Sequence, residues 1–182
     1  MAVATSGTEG WKTMPTPVKS GTGDMFLKVK GARSGPINGE SNDQKHKDEI
    51  EVLSWSWGMQ AQQSLGGGEA TGKSSLAELK IAKRVDKAST ALMSALRTNE
   101  VLQEAVLTIR KAGTGQLEYL KIKIEQGRVT SLVIEGGDES GGAALRERVS
   151  FAFNKITVDY TPQGPDGQPR GATSFMDEWI HG

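Results

Sequence analysis

The sequence predicts a mainly β protein: a β-barrel-like domain of antiparallel strands with one α-helix. Three observations predict it. Short apolar runs with a period of two recur along most of the chain, as at Leu120, Ile122 and Ile124. Glycine supplies 23 of 182 residues, nearly twice the usual ~7%, and much of it clusters between those runs, where turns are needed. A single stretch, Asp86–Asn99, repeats apolar residues at helical spacing, with Leu92, Met93 and Leu96 set among alanines.

The elements follow in order. Met1–Gly23 is rich in Gly, Ser, Thr and Pro and reads as a flexible N-terminal extension. A single barrel domain is expected over residues 24–163, with a C-terminal tail at 164–182 packed on or near it. The first strand is Met25–Lys30, with Met25, Leu27 and Val29 on its apolar face. Gly31–Asp48 then carries three glycines, a proline and seven charged or potentially charged residues, and reads as an exposed 18-residue loop. Glu49–Met59 reads as a strand whose apolar residues change parity near Leu53, which predicts a bulge or burial on both faces. Gln60–Ser75 is a second glycine-rich loop. Leu76–Val85 alternates well enough to favour a strand over a helix. Asp86 or Ser89 caps the helix that follows, and Arg97 suits its end. Strands are then expected at Glu104–Lys111, Leu117–Glu125, Arg128–Glu135 and Arg146–Tyr160, with turns at Gly113–Gly115 and Gln126–Gly127 and a longer loop at Gly136–Gly142. Pro162–Ala172 is turn-rich, and Phe175, Met176, Trp179 and Ile180 give the tail an apolar end.

Charge and composition exclude several classes. Lysine plus arginine and aspartate plus glutamate each number 22, so the net charge is zero. Phosphate binding wants a basic face, and a polybasic membrane anchor wants the same, so neither nucleic acid nor membrane is an expected partner. Apolar runs are a few residues long, far short of the ~18 that span a bilayer, so no membrane insertion is expected. The first 24 residues lack the apolar centre of a secretory signal peptide. With no cysteine and only His46 and His181, disulfides, thiolate metal sites and multi-histidine sites drop out; no metal or cofactor is expected.

One motif matches known chemistry. Gly67-Gly68-Glu69-Ala70-Thr71-Gly72-Lys73-Ser74 satisfies the pattern of a phosphate-cradling loop, in which Lys73 would reach the phosphates and Ser74 would hold Mg²⁺. That chemistry needs a buried strand before the first glycine and a helix opening at the lysine. Polar Gln60–Ser64 precedes it instead, and a glycine-rich chain meets the pattern by accident. His46, between Lys45 and Lys47-Asp48, reads as a solvated surface histidine. The pairs Asp48-Glu49 and Asp138-Glu139 read as solvated loop charges rather than general acid and base. Ser54 and Ser56 lack a nucleophile elbow. Trp55 and Trp57 read as core or interface anchors. No catalytic constellation emerges.

Several segments together resemble one family: Met25-Phe26-Leu27-Lys28, Gly39-Glu40-Ser41, Lys45–Ile50, Leu53-Ser54-Trp55-Ser56-Trp57-Gly58, Gly66–Gly68, Val85–Ser89, Leu107–Gly113, Glu118-Tyr119-Leu120 and Val158–Gln163. They resemble the haemolysin-coregulated proteins, which form the inner tube of the bacterial type VI secretion system. The likeness covers roughly residues 24 to 163. It implies a barrel-like domain with one helix, assembly as a homo-hexamer, and rings stacking into a hollow tube. It also implies sheath and spike proteins as partners and small effectors carried or shielded in the lumen. The subunit would sit in the bacterial cytoplasm until the machine fires, then leave without a cleavable signal peptide. Family members begin near the equivalent of Asp24, so Met1–Gly23 is additional to the pattern.

Within that resemblance, residues acquire expected roles. Ser54 and Ser56 alternate with Trp55 and Trp57, so the serines are expected to face the lumen and the indoles a subunit seam or the core. The mixed charges of the first loop suit head-to-tail contact between rings. Arg33, Asn38, Glu40, Asp43, Lys45, His46, Lys47 and Asp48 form the expected stacking loop, dispensable for the fold of the subunit itself. The leading expectation is therefore a non-enzymatic tube subunit. The alternatives are a small nucleotide-binding protein using Gly67–Ser74, or a generic β-barrel binding module.

Overall fold

The computed structural model describes residues 24–61, 74–111, 117–137 and 145–179. The expected leader at 1–23, most of the glycine-rich motif and the Asp138-Glu139 pair lie outside them. The strands are β1 (Asp24–Gly31), β2 (Gly35–Ile37), β3 (Ile50–Ser56), β4 (Met59–Ala61), β5 (Ser74–Leu76), β6 (Leu79–Arg84), β7 (Leu102–Arg110), β8 (Glu118–Gly136), β9 (Leu145–Ala152), β10 (Lys155–Tyr160) and β11 (Thr173–Glu178). The helix α1 spans Ala88–Arg97.

Six strands close on themselves in the order β8-β7-β1-β3-β6-β9, with β9 pairing back onto β8, all antiparallel. Outside this barrel, β10 adds to the free edge of β8 and β11 adds to β10, making a two-stranded flange. β4 and β5 form a separate hairpin. Closure depends on β8. Sequence patterning expects two strands joined by a Gln126-Gly127 turn, but the chain runs on as one bent strand of 19 residues. Gln126 takes a left-handed conformation, φ 52°, so the strand bends without reversing. A side chain on Gly127 would come within 2.8 Å of the Ala152 carbonyl oxygen, so glycine lets the two backbones touch at the corner. The first half of β8 pairs with β7 and β10, the second with β9.

The expected single strand Arg146–Tyr160 is instead two, β9 and β10, broken at Phe153-Asn154. The apolar parity changes at that break, from Val149 and Phe151 to Ile156 and Val158. Inside the barrel, cross-strand rows such as Leu27–Leu107–Ile122 carry the buried side chains. The helix turns Ala88, Leu92 and Ala95 inward, at i, i+4 and i+7. Burying a leucine such as Leu92 contributes roughly 1.5–3 kcal/mol. Asp86 caps the helix start by accepting the N–H of Ala88, 3.0 Å away.

The helix is also fastened by a buried polar cluster. Lys83 on β6 and Glu147 on β9 are both fully buried. The Lys83 ammonium shares its three N–H groups among four acceptors: Glu147 Oε2 at 2.9 Å, Asp86 Oδ1 at 2.7 Å, Ser89 Oγ at 3.1 Å and the Arg84 carbonyl at 2.8 Å. The Ser89 hydroxyl in turn donates a hydrogen bond to Glu147 Oε2. Two neighbouring barrel strands and the first turn of α1 thus meet on one ammonium.

Candidate functional site

Two surfaces hold the residues singled out by the sequence. The first is the outward face of the sheet β3-β6-β9 and the second half of β8. Its register aligns Ser56, Lys80, Ser150 and Ser131 across four strands, and beside them Ser54, Ala82, Arg148 and Val133. Ser54, Ser56, Lys80 and Ser131 are exposed. Arg148 pairs with Glu135 at 2.8 Å on this face. The inward row between them is Trp55, Ile81, Val149 and Leu132. Trp55 and Trp57 are half-buried and pack against the core. Of the two explanations for the parity change near Leu53, the bulge is the one present: the β3–β6 register shifts between Val52 and Ser54, and Leu53 is turned out, 40% exposed.

The second surface is the segment from Gly31 to Glu49, and it is not the exposed loop that its composition predicts. It opens as a hairpin, with β2 paired back on β1. The buried Glu100 carboxylate accepts the N–H groups of Arg33 and Ser34, at 2.8 and 2.7 Å, and the Ser34 hydroxyl. These bonds hold its pKa below the ordinary glutamate value. Ile37, Gly39, Ser41 and His46 are buried. At Gly39 a Cβ would lie 2.4 Å from the Glu49 carbonyl oxygen, so the chain can pass there only as glycine.

His46 is not a solvated surface histidine. It is 6% exposed and stacks on Phe26, with ring centroids 4.4 Å apart. Its Nδ1 lies 2.9 Å from Glu49 Oε2 and its Nε2 3.3 Å from Glu118 Oε1. The second contact has the distance of an ion pair without the direction of a hydrogen bond. Glu49 is therefore engaged rather than solvated. The buried Arg110 guanidinium also lies over the Phe26 ring, 5.2 Å from its centre. Arg110 Nη2 donates to Asp24 and Asp43, each at 2.7 Å. The Arg110 bond, with help from the N–H groups of Lys45 and His46, lowers the Asp43 pKa to about 2.

The remaining loop residues divide in two. Glu40 accepts the N–H of Lys87 at 3.0 Å, and Asp48 meets the Lys87 ammonium at 3.2 Å, so both lean on the start of α1. Arg33 donates to Thr98 Oγ1 at 2.8 Å. The side chains of Asn38, Lys45 and Lys47 are exposed, as are those of Asn42 and Gln44. The loop is thus pinned along its length, and at its tip the exposed side chains of Asn42, Gln44 and Lys45 surround the anchored Asp43.

The two ends of the barrel differ. The loop's anchors, Asp24, Arg110 and Glu118, mark one end. Gly31, Leu102 and Gln126-Gly127 mark the other, about 23 Å away along β1. At this second end a cleft of about 650 Å³ is lined by Val101, Gln126, Arg128, Phe153, Asn154 and Trp179. As for the phosphate-loop pattern, Gly67–Lys73 lie outside the described residues, and Ser74 opens a strand, β5, where that chemistry requires a helix.

Residues 26–160 match the family model described as type VI secretion system effector, Hcp. The chain belongs to the Hcp family. It is 40% identical over 151 residues to the protein hcp1 of Pseudomonas aeruginosa, covering 81% of this chain and 89% of that one. Among solved structures it is similar to Hcp1 from Salmonella typhimurium, at 32% identity and TM-score 0.69 over 86% of this chain and 95% of that one. A type six secretion system protein superposes with TM-score 0.74 at 28% identity, over 84% of this chain and 92% of that one. Like other Hcp proteins the chain is a type VI secretion tube protein with a β-barrel fold. Among the described residues no helix is long and apolar enough to cross a membrane.

Proposed function

We propose that this Hcp chain is the non-enzymatic, ring-forming subunit of the type VI inner tube. Six copies make a ring, rings stack head to tail, and the tube carries or shields small effectors until it is expelled from the cytoplasm by sheath and spike proteins. One observation carries the lumen assignment: the cross-strand row Ser56–Lys80–Ser150–Ser131. Three of the four residues in this row are serines, Ser54 and Ala82 lie beside them, and Lys80 and Arg148 add charge, so the face is polar and mostly small-sided, as the wall of a water-filled channel would be. Small polar groups keep the bore wide, stay wetted, and offer donors and acceptors to varied cargo. Indoles on the opposite parity anchor that wall from behind.

Stacking is supported by the difference between the barrel's ends. The tip Asn42–Lys45 stands at one end, and the cleft around Phe153 and Trp179 stands at the other. A contact between unlike ends does not close on itself, so it propagates as a filament. Molar mass in solution tests the ring: about six times 19.5 kDa is expected. A chain monomeric at all concentrations would refute it.

A further inference from the structure

We propose that the flange strand β11 of one copy seats in a basic cleft beside β2 of a second copy, and that this contact, repeated, closes the ring. The inference rests on the ring reading above and names the surfaces that make the ring.

The cleft, about 190 Å³, lies between β1 and the segment that follows β2. Val29 and Ile37 form its floor and Pro36 part of its wall. Lys28, Lys30 and Lys47 stand at its rim, all exposed. None of the three ammonium groups has an ion-pair partner among the described residues. Two carboxylates line the cleft as well, Asp48 and Glu49; Asp48 is paired with Lys87 and Glu49 with His46, while Glu104, opposite Lys30 in register, lies 3.8 Å from Lys123. The cleft therefore offers the methylene stems of its lysines and three ammonium groups against two carboxylates that already have cationic or imidazole partners.

β11 has the complementary chemistry. Among the described residues it is the edge strand of the sheet, bonded on one side only, to β10. Its sequence Phe175-Met176-Asp177-Glu178 joins apolar side chains to two carboxylates. Met176 is 64% exposed, the most of any large hydrophobic residue among those described. Glu178 shares its face of the strand, and its in-chain partner Lys155 is 3.7 Å away, a weak exposed pair. An exposed edge of this kind invites another chain unless something covers it.

The two patches sit apart on one sheet. β7, β8 and β10 separate β1 from β11, about 19 Å across it, and Glu178 and Lys30 fall in one cross-strand row through Lys155, Glu125 and Glu104. Two unlike patches on one subunit give a heterologous contact in which each copy both donates and receives. Such a contact makes a closed ring when its rotation divides a full turn.

The test uses the full chain and charge exchange. Lys30→Glu and Glu178→Lys each place like charges across the contact and should raise the concentration for half-assembly about tenfold, read as molar mass by light scattering. The double variant Lys30→Glu/Glu178→Lys should return the ring towards the wild-type concentration, and Met176→Ser should weaken it without rescue by either charge. Thermal unfolding of each variant monitors the subunit's own fold. A wild-type ring unmoved by both single variants overturns the contact and leaves the ring reading standing, as does a double variant no better than the singles. A wild-type chain that never assembles overturns both.

Discussion

Lys83 and Glu147 stand directly opposite each other on β6 and β9, both wholly buried, with ammonium and carboxylate oxygen 2.9 Å apart. Taking two charges out of water is costly, and here four acceptors on one ammonium offset it. Removing one partner leaves the other charge stranded. Lys83→Met should therefore destabilise the subunit by about 3–5 kcal/mol, measured by urea unfolding at fixed protein concentration. Lys83→Met/Glu147→Leu should recover much of that loss. A double variant as unstable as the single would show that packing, rather than charge, sets the cost.

The loop's attachment should be sensitive to acid. Arg110 holds the Asp43 carboxyl at about 2, against 3.8 ordinarily. The Glu118 carboxyl, beside Lys121 and His46, is also held below its usual value against the opposing effect of burial. Groups depressed in the folded state stabilise it fully above their unfolded pKa and lose that contribution as pH falls through the folded value. For Asp43 the window runs from near pH 4 down to about pH 2. Amide hydrogen exchange over residues 39–47, corrected for its intrinsic pH dependence, should accelerate there. Asp43→Asn should show fast exchange already at neutral pH. Equal protection at pH 5 and pH 2.5 would refute the role of this pair.

The regular elements were legible because their information is local. The alternation at Leu120–Ile124 and the spacing of Leu92 and Leu96 are set within a few residues, and the parity change at Leu53 announced a bulge. The misread elements depend on distant partners. Gln126-Gly127 has turn chemistry, and only the nearby Ala152 backbone shows why the strand bends without turning back. His46 sits among charges in the sequence, but its surroundings are Phe26 and Glu118, 20 residues before it and 72 after it in the chain. Phe26 itself occupies the polar parity of β1, and that was the local sign of something folding over the outer face. Lys83, on the apolar parity with Leu79 and Ile81, was the matching sign of a buried charge.

The seam between loop and barrel should respond to the aromatic stack. Phe26 is 4% exposed, stacked on His46 and within 5.2 Å of the Arg110 guanidinium. Phe26→Ala removes the common support of both and should cost roughly 3–5 kcal/mol, as for other buried aromatics. Phe26→Leu, which keeps the apolar volume but not the ring, should cost less. Equal losses would indicate that stacking contributes more than burial.

Ser56 bears on cargo. On the exposed row with Lys80 and Ser150, a longer side chain would reach into the proposed lumen without touching the core. Ser56→Gln should leave the molar mass of the ring unchanged and reduce the amount of a co-expressed small effector that purifies with it. A steric penalty of about 1.4 kcal/mol would lower retention about tenfold. Undiminished retention would place the cargo surface elsewhere.

Stacking is best tested at the loop tip, because the rest of the loop belongs to the fold. Wholesale replacement of residues 34–44 would remove Ile37 from the core and Asp43 from Arg110, so it would unfold the seam before it reported on stacking. Gln44 and Lys45, by contrast, are exposed, and the Lys45 side chain is in no ion pair among the described residues. A contact made by a few rim charges is worth on the order of 1 kcal/mol each and is screened by salt. Lys45→Glu with Gln44→Glu should therefore leave subunit stability and ring mass unchanged while reducing tube growth, seen by electron microscopy, and secretion. Wild-type tubes should shorten as salt is raised from 50 to 500 mM, the Debye length falling from about 14 to about 4 Å. Normal secretion by the double variant would show that the tip takes no part in stacking. Dissociation of the ring itself would move the tip from the contact between rings to the contact within one.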